Sequence, residues 1–334
     1  MLLKEVSRPM KLFENILICG HPDHVDLKLL EHAADLAKHN QSNVKVVHVV
    51  TDYPRDVRTW WNVRNPGKLR ESIIRDREDF LDGLVESLNK LGVENVTREL
   101  HWGEPIVEIT KDVLSDSRQL VMVVSRYSGK VSYGAFGYPS MDLVRQCPCP
   151  IWVTQKKVKK RVHRIVVCLG GSGGDVKIED TNAKMLAHAA AVAEAENSKL
   201  HVVHVMPLYG NKNGKRHDKN RLTCDLGVYL DTVRNEIKQR CNDFLSDLGM
   251  SLAADQVHLL IGTPTAVIPD FVESNGADLL VMATAARTGL PGLVVGNAAE
   301  KVMKKIRCPM LVVKSDALSA QVKQPNTIES SVAV

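Results

Sequence analysis

Short apolar runs rich in β-branched residues alternate along this chain with longer stretches in which apolar positions recur every three or four residues. The runs at 15–19, 43–50, 96–102, 120–125 and 150–154 have the length and composition of strands, and so do those at 164–168, 199–205, 256–261, 279–283 and 309–314. Between them lie helical patterns at 27–39 and 180–195. Two longer stripes follow, through Leu69, Ile73, Phe80, Leu84, Leu88 and Leu91 and through Leu230, Val233, Ile237, Cys241, Phe244 and Leu248. Runs that are apolar on both faces and separated by helices imply parallel strands covered on each side. The expected class is therefore α/β, two tandem doubly wound five-stranded parallel sheets. Ligands in such sheets bind beyond the carboxyl ends of the strands, where the strand order reverses, which directs attention to the loops after the first and fourth strands of each set.

The order of elements is written twice. Gly103-Glu104-Pro105 and Gly262-Thr263-Pro264 lie 159 positions apart, and the same offset carries Leu120-Val121-Met122-Val123 onto Leu279-Leu280-Val281-Met282, and Cys149-Pro150 onto Cys308-Pro309. Upstream, His32-Ala33-Ala34 matches His188-Ala189-Ala190, and Val47-His48-Val49 matches Val203-His204-Val205, both at 156. The chain is a tandem duplication. Its 334 residues accommodate two domains, expected at 12–155 and 162–315, with a polar, aperiodic tail at 316–334 expected to be disordered.

Composition narrows the classes. No apolar run approaches the roughly 18 residues that a spanning helix needs, which argues against membrane insertion. The first twenty residues carry acidic side chains and a proline and end without a small-residue cleavage site, so a cytoplasmic protein is expected. Seven cysteines without a CxxC pair are expected to be reduced. The net charge of +5 is concentrated in Lys156, Lys157, Lys159, Lys160, Arg161 and Arg164, between the two copies. A second basic cluster, Lys212, Lys215, Arg216, Lys219 and Arg221, follows the second strand of the second copy. Contact with RNA phosphates through these loops is the lesser alternative to a solvated linker and loop.

The combination of Ile16-Leu17-Ile18-Cys19, a second strand ending in His-Val, a Gly-x-Pro helix entry, and Gly296-Asn297-Ala298-Ala299-Glu300-Lys301-Val302 ahead of Cys308-Pro309 resembles the universal stress protein family, in its tandem E-type bacterial form. The resemblance implies an adenine nucleotide alpha hydrolase-like fold in each copy, pairing of the copies as an internal pseudo-dimer, and a role in stress survival. Association of two whole chains stays open. In ATP-binding members the loop after the fourth strand carries spaced glycines and then serine or threonine, which let backbone amides approach phosphate at a helix N-terminus. Those positions fall here on Ala283, Ala286, Gly296 and Asn297, with Gly289 and Gly292 in the same loop and Ala298 following. In the first copy they fall on Val124, Tyr127, Gly137 and Tyr138. The family's aspartate after the first strand is replaced by His21 and Gly170, with Asp23 and Asp175 displaced. The resemblance therefore implies a degenerate nucleotide loop in both copies and no obligatory cofactor. ATP bound in the second copy is the alternative.

The remaining motifs have plain readings. His21-Pro22-Asp23-His24 has the spacing of a nucleotidyl-transferase HxxH but lacks the glycine that close packing needs, and reads as a turn with surface histidines. The run from Gly170 to Gly174 reads as a connector before an anion nest. Trp60-Trp61 is a candidate plug or lining for the first cleft. His32, His48, His188 and His204 recur at matching core positions and read as packing, with no metal site expected. No cleft collects a nucleophile, a base and an orienting group. The expected function is non-enzymatic binding of a small molecule or a protein partner.

Overall fold

The computed structural model describes residues 12–22, 27–51, 66–124, 140–154, 159–171, 176–206, 226–284 and 297–314. In the first copy these form β1 (Asn15–Cys19), α1 (Leu27–Asn40), β2 (Asn43–Val50), α2 (Pro66–Lys90), β3 (Val96–Trp102), α3 (Pro105–Ser115), β4 (Leu120–Val124), α4 (Ser140–Gln146) and β5 (Ile151–Thr154). The second copy repeats them as β6 (Arg164–Leu169), α5 (Val176–Glu196), β7 (Lys199–Met206), α6 (Leu226–Asp247), β8 (Val257–Ile261), α7 (Pro264–Ser274), β9 (Leu279–Thr284), α8 (Asn297–Met303) and β10 (Met310–Lys314). Among the described residues no helix is long and apolar enough to cross a membrane.

Within each copy the strands are parallel, in the orders β3-β2-β1-β4-β5 and β10-β9-β6-β7-β8. The expected pair of five-stranded sheets is thus present. They join edge to edge into one ten-stranded sheet, because β5 and β10 pair antiparallel, with Trp152 opposite Leu311. Every residue of both strands is buried, so each copy hides the other's exposed edge. The antiparallel join also points the carboxyl ends of the two copies in opposite directions. Each face carries a core that runs through both copies. One lies under α1, α2, α5 and α6, the other under α3, α4, α7 and α8.

The sequence repeat has a geometric counterpart at each turn. Gly103 (φ 135°) and Gly262 (φ 144°) each donate from N–H to the end of the second strand, Val50 O and Met206 O, both at 3.0 Å. A proline then opens the next helix, at a position whose N–H would have no helical partner. Gly92 and Gly249, 157 positions apart, close the two long helices.

The join is not symmetric in detail. His32 on α1 is fully buried and stacks on Trp152 with ring centres 5.7 Å apart, while its Nδ1 meets Glu196 Oε1 at the end of α5, 2.5 Å away. Its Nε2 lies 3.1 Å from Lys159 O, and Glu196 Oε2 accepts from Val162 N–H. Burial alone would lower the His32 pKa; hydrogen bonding and charge from Glu196 outweigh it and raise it. Its counterpart His188 donates instead to Lys184 O within its own helix and meets Phe13 edge-on. His32 is thus packed in the core, as expected, but with an acidic partner that no spacing within its own copy supplies. The carboxylate for His32 comes from the other half of the chain. On the opposite face Arg145 of α4 makes a two-pronged contact with Glu300 of α8, at 2.9 and 3.1 Å.

Candidate functional site

In each copy the strand order reverses between the first and fourth strands, β1 and β4 or β6 and β9, and a ligand cleft belongs at their carboxyl ends. In the first copy that end is occupied by protein. Gly20 follows β1, and a Cβ added there would come within 2.7 Å of Leu84 Cδ1 and 3.1 Å of Phe80 Cε1. Helix α2 thus lies directly over the strand end, and only a glycine lets it approach so closely. His48, at the close of β2, donates from Nδ1 to Gly20 O at 2.9 Å. Its ring meets Phe80 and His21 edge-on, at 6.0 and 5.5 Å. The aromatic filling of this cleft among the described residues is thus Phe80 with His48 and His21. Trp60 and Trp61 lie outside the described residues.

The second copy keeps the frame and reduces the filling. His204 occupies the place of His48 and bonds the Leu169 carbonyl, which corresponds to Gly20, and burial lowers its pKa. At the helix offset of 157, Phe80 and Leu84 become Ile237 and Cys241, and His21 becomes Gly170. The atoms nearest a Cβ at Gly170 are Ile178 Cγ2 at 3.3 Å and Asn182 Oδ1 at 3.6 Å, both from α5; none comes from α6. Gly170 and Gly171 are exposed. Asn182, 5% exposed, accepts from Gly170 N–H at 2.9 Å and donates to Gly170 O at 3.0 Å, so the strand end is tied to α5. Across the cleft, Thr284 closes β9 with its hydroxyl buried and no hydrogen-bond partner among the described residues.

Of the residues expected to form the nucleotide loop, Ala283 lies on β9 beside Thr284 and packs against the core, and Asn297 and Ala298 open α8, with Ala298 exposed. Ala286, Gly289, Gly292 and Gly296 lie outside the described residues, as do Asp23, His24, Ser172, Gly173, Gly174, Asp175 and the basic cluster at 212–221. In the first copy Val124 ends β4, and Tyr127, Gly137 and Tyr138 are also outside. The described part of the basic linker is partly tied down: Lys159 Nζ sits 2.6 Å from Asp278 Oδ1, and Arg164 donates to Asn275 O. Asp278 Oδ2 accepts from the backbone N–H of His163 and Arg164.

A second difference between the copies lies between strands two and three, away from the clefts. In the first copy Lys45 Nζ stands 2.5 Å from Glu99 Oε2, 2.7 Å from the buried Asp112 Oδ2 and 3.3 Å from Asp116 Oδ2. His101 and Arg118 complete the shell around Asp112. Glu99, His101 and Asp112 have a spacing that could hold a metal ion, but the ammonium of Lys45 already fills the place between the two carboxylates. In the second copy the counterparts of Lys45, Glu99 and Asp112 are His201, His258 and Phe271. His201 Nδ1 and His258 Nε2 are 3.0 Å apart, the rings stack at 5.3 Å, and His258 tilts onto Phe271 at 4.8 Å. Burial first, then Arg164, lowers His201; burial also lowers His258. Neither cluster is visible as a local motif, because its members are brought together by strand pairing.

A family model for universal stress proteins matches residues 13–155 and again 162–314, the two copies of the frame. The chain belongs to the universal stress protein family. It carries two tandem domains of it. The Escherichia coli K12 universal stress protein E is 22% identical over 315 residues, covering 94% of this chain and 98% of the relative. A universal stress protein of Methanocaldococcus jannaschii is 32% identical over 143 residues, 42% of this chain and 77% of its own. Among solved structures, a functionally unknown Pseudomonas aeruginosa PAO1 protein superposes with a TM-score of 0.72 at 20% identity, covering 94% of this chain and 97% of that one. That likeness concerns the fold.

Proposed function

We propose that this universal stress protein is a non-enzymatic, cytoplasmic binding protein of the stress response that holds a small molecule in the cleft of its second copy. The loop from Ala283 through Gly289, Gly292 and Gly296 to Ala298 forms the rim in this reading, as a degenerate nucleotide loop. The observation that carries it is the exchange of Phe80, Leu84 and His21 for Ile237, Cys241 and Gly170 at the same place in the frame. The first cleft is filled by Phe80, Leu84 and His21, and the second carries smaller side chains at those three places, beside Thr284, whose buried hydroxyl has no partner among the described residues.

A binding role without chemistry is supported by what the reactive groups near the strand ends already do. His48 and His204 are committed to backbone carbonyls. Burial pushes the Cys19 and Cys168 thiols far above their ordinary range, which keeps them protonated and poorly nucleophilic.

Native mass spectrometry of the purified full chain tests the reading. A small molecule carried at one per chain, and lost in Gly170→Leu while Gly20→Ala leaves it bound, is the expected result. Titration with ATP and magnesium identifies or removes the nucleotide as that molecule. Measurable ATP turnover abolished by Gly296→Leu would overturn the non-enzymatic reading.

A further inference from the structure

Where the copies join, a cluster of reactive groups is left over from the cleft and the fold. Cys147-Pro148-Cys149 links α4 to β5, and the two sulfur atoms lie 3.7 Å apart at residues that are 0% and 6% exposed. Lys314, the last residue of β10 and hence of the other copy, is 4% exposed and donates from Nζ to Val144 O. Lysine is almost never buried this completely unless it is paired. The groups whose charge acts on Lys314 are Cys147 and Cys149.

We propose that Cys147 and Cys149 form a two-coordinate site for a soft monovalent metal ion of the Cu(I) class, with Lys314 as its buried counter-charge. Thiolate sulfur selects soft ions. The charge balance then selects among them. On binding, the two thiols release two protons, and a monovalent ion between two thiolates leaves a single negative charge that the ammonium of Lys314 cancels. A divalent ion would leave the same buried site with an uncompensated positive charge, which a low-dielectric interior penalises strongly. Zinc also asks for four donors in a structural site, where this site offers a pair. Pro148 fixes one backbone angle between the two cysteines.

The test is anaerobic titration of the reduced, metal-free full chain with Cu(I) in competition with bicinchoninate, followed by X-ray absorption at the copper edge. The wild-type protein is expected to withdraw one equivalent and to show two sulfur neighbours with no nitrogen or oxygen. Cys147→Ser and Cys149→Ser lose that equivalent. Lys314→Met keeps the sulfur shell but weakens binding by roughly tenfold or more, the scale of outer-shell effects on metal sites. Cys308→Ser leaves the titration unchanged. The X-ray reading uses wild-type protein, so it stands even if a variant misfolds. The proposal is overturned if the wild type takes no copper from the competitor, if copper is held by three or more donors, if the double Cys147→Ser, Cys149→Ser variant still binds, or if zinc displaces copper from the site.

Discussion

The first and second clefts share a frame: a first strand, a histidine from the neighbouring strand bonded to the carbonyl at its end, and a long helix crossing above. What separates them is the set of side chains that the helix lowers onto the strand end. Phe80 and Leu84 come so close to Gly20 that no Cβ fits between, whereas the second copy carries the buried Leu169 at that place and, one residue on, Gly170, where no described atom of α6 lies within 4 Å of an added Cβ. The same divergence appears between the second and third strands, where a lysine among three carboxylates in one copy stands opposite two stacked histidines on a phenylalanine in the other. Duplication preserves backbone geometry because strand register and helix packing fail together. Side chains at one place can then be exchanged as a set, and that is how one fold comes to hold two different interiors.

The sharpest way to break the comparison is at the join, where the asymmetry is a buried ion pair. Glu196→Ala leaves His32 buried without its carboxylate, and removing one member of such a pair costs about 3–5 kcal/mol. Its counterpart at the offset of 156, Asn40, bonds Leu36 O in its own helix, its one side-chain partner among the described residues, so Asn40→Ala is expected to cost no more than about 1 kcal/mol. Chemical denaturation of the two variants measures the difference. Equal losses would mean that His32 and Glu196 contribute no more than a pair of polar groups.

A smaller effect on stability, but a decisive one on binding, is expected from exchanging the fillings. Phe80→Ile with Leu84→Cys removes packing from the first copy at a cost of about 1–3 kcal/mol, because the cleft partly collapses. The reverse change, Ile237→Phe with Cys241→Leu, is expected to eject the small molecule from the second copy with little change in stability. Native mass spectrometry reads the second outcome directly. A ligand retained by the filled second cleft would place it elsewhere.

How far the chain discloses this in advance depends on range. Helical and strand periods mark the elements, and matched motifs at fixed offsets mark the duplication, since both are properties of neighbouring residues. Phe80 and Leu84 show up in that pattern only as members of a stripe. Their meeting with Gly20 depends on which helical face lies over which strand end, and no spacing along the chain carries that. His32 and Glu196 are 164 positions apart and belong to different copies, so a search for partners within one copy misses the pair. Lys45 with Asp112, and His201 with His258, become neighbours only through parallel pairing of the second and third strands and the helix behind them. The loop from Ala286 to Gly296 is the part of the expected site that lies outside the described residues, and it enters the argument through its sequence.

The mildest test of the comparison is pH. His201 and His258 have folded pKa values below their ordinary 6.5, the first pressed down by burial, Arg164, His258 and Lys199 against Asp255, the second by burial, Arg164 and Lys238 against Asp255. Above that value both states carry neutral rings and no stability depends on them. As pH falls below it, the unfolded chain takes up protons that the folded pair refuses, and the second copy loses stability. The first copy's cluster behaves differently over the same range. Lys45, raised through Asp112 and Glu99 despite burial, contributes fully until pH climbs toward its own titration, and Asp116, held down by Arg118 and Lys45, contributes until pH drops through the carboxylate range. His32 acts in the opposite sense to the stacked pair: its raised value means the contact with Glu196 is fully formed below 6.5 and fades as pH rises through the folded value. Hydrogen exchange corrected for intrinsic rates should therefore show amides of β7 and β8 losing protection between pH 7 and 5, while those of β2 and β3 hold and those flanking His32 and Glu196 gain. Parallel loss in β2–β3 and β7–β8 would show that the stacked histidines are not what distinguishes the two interiors.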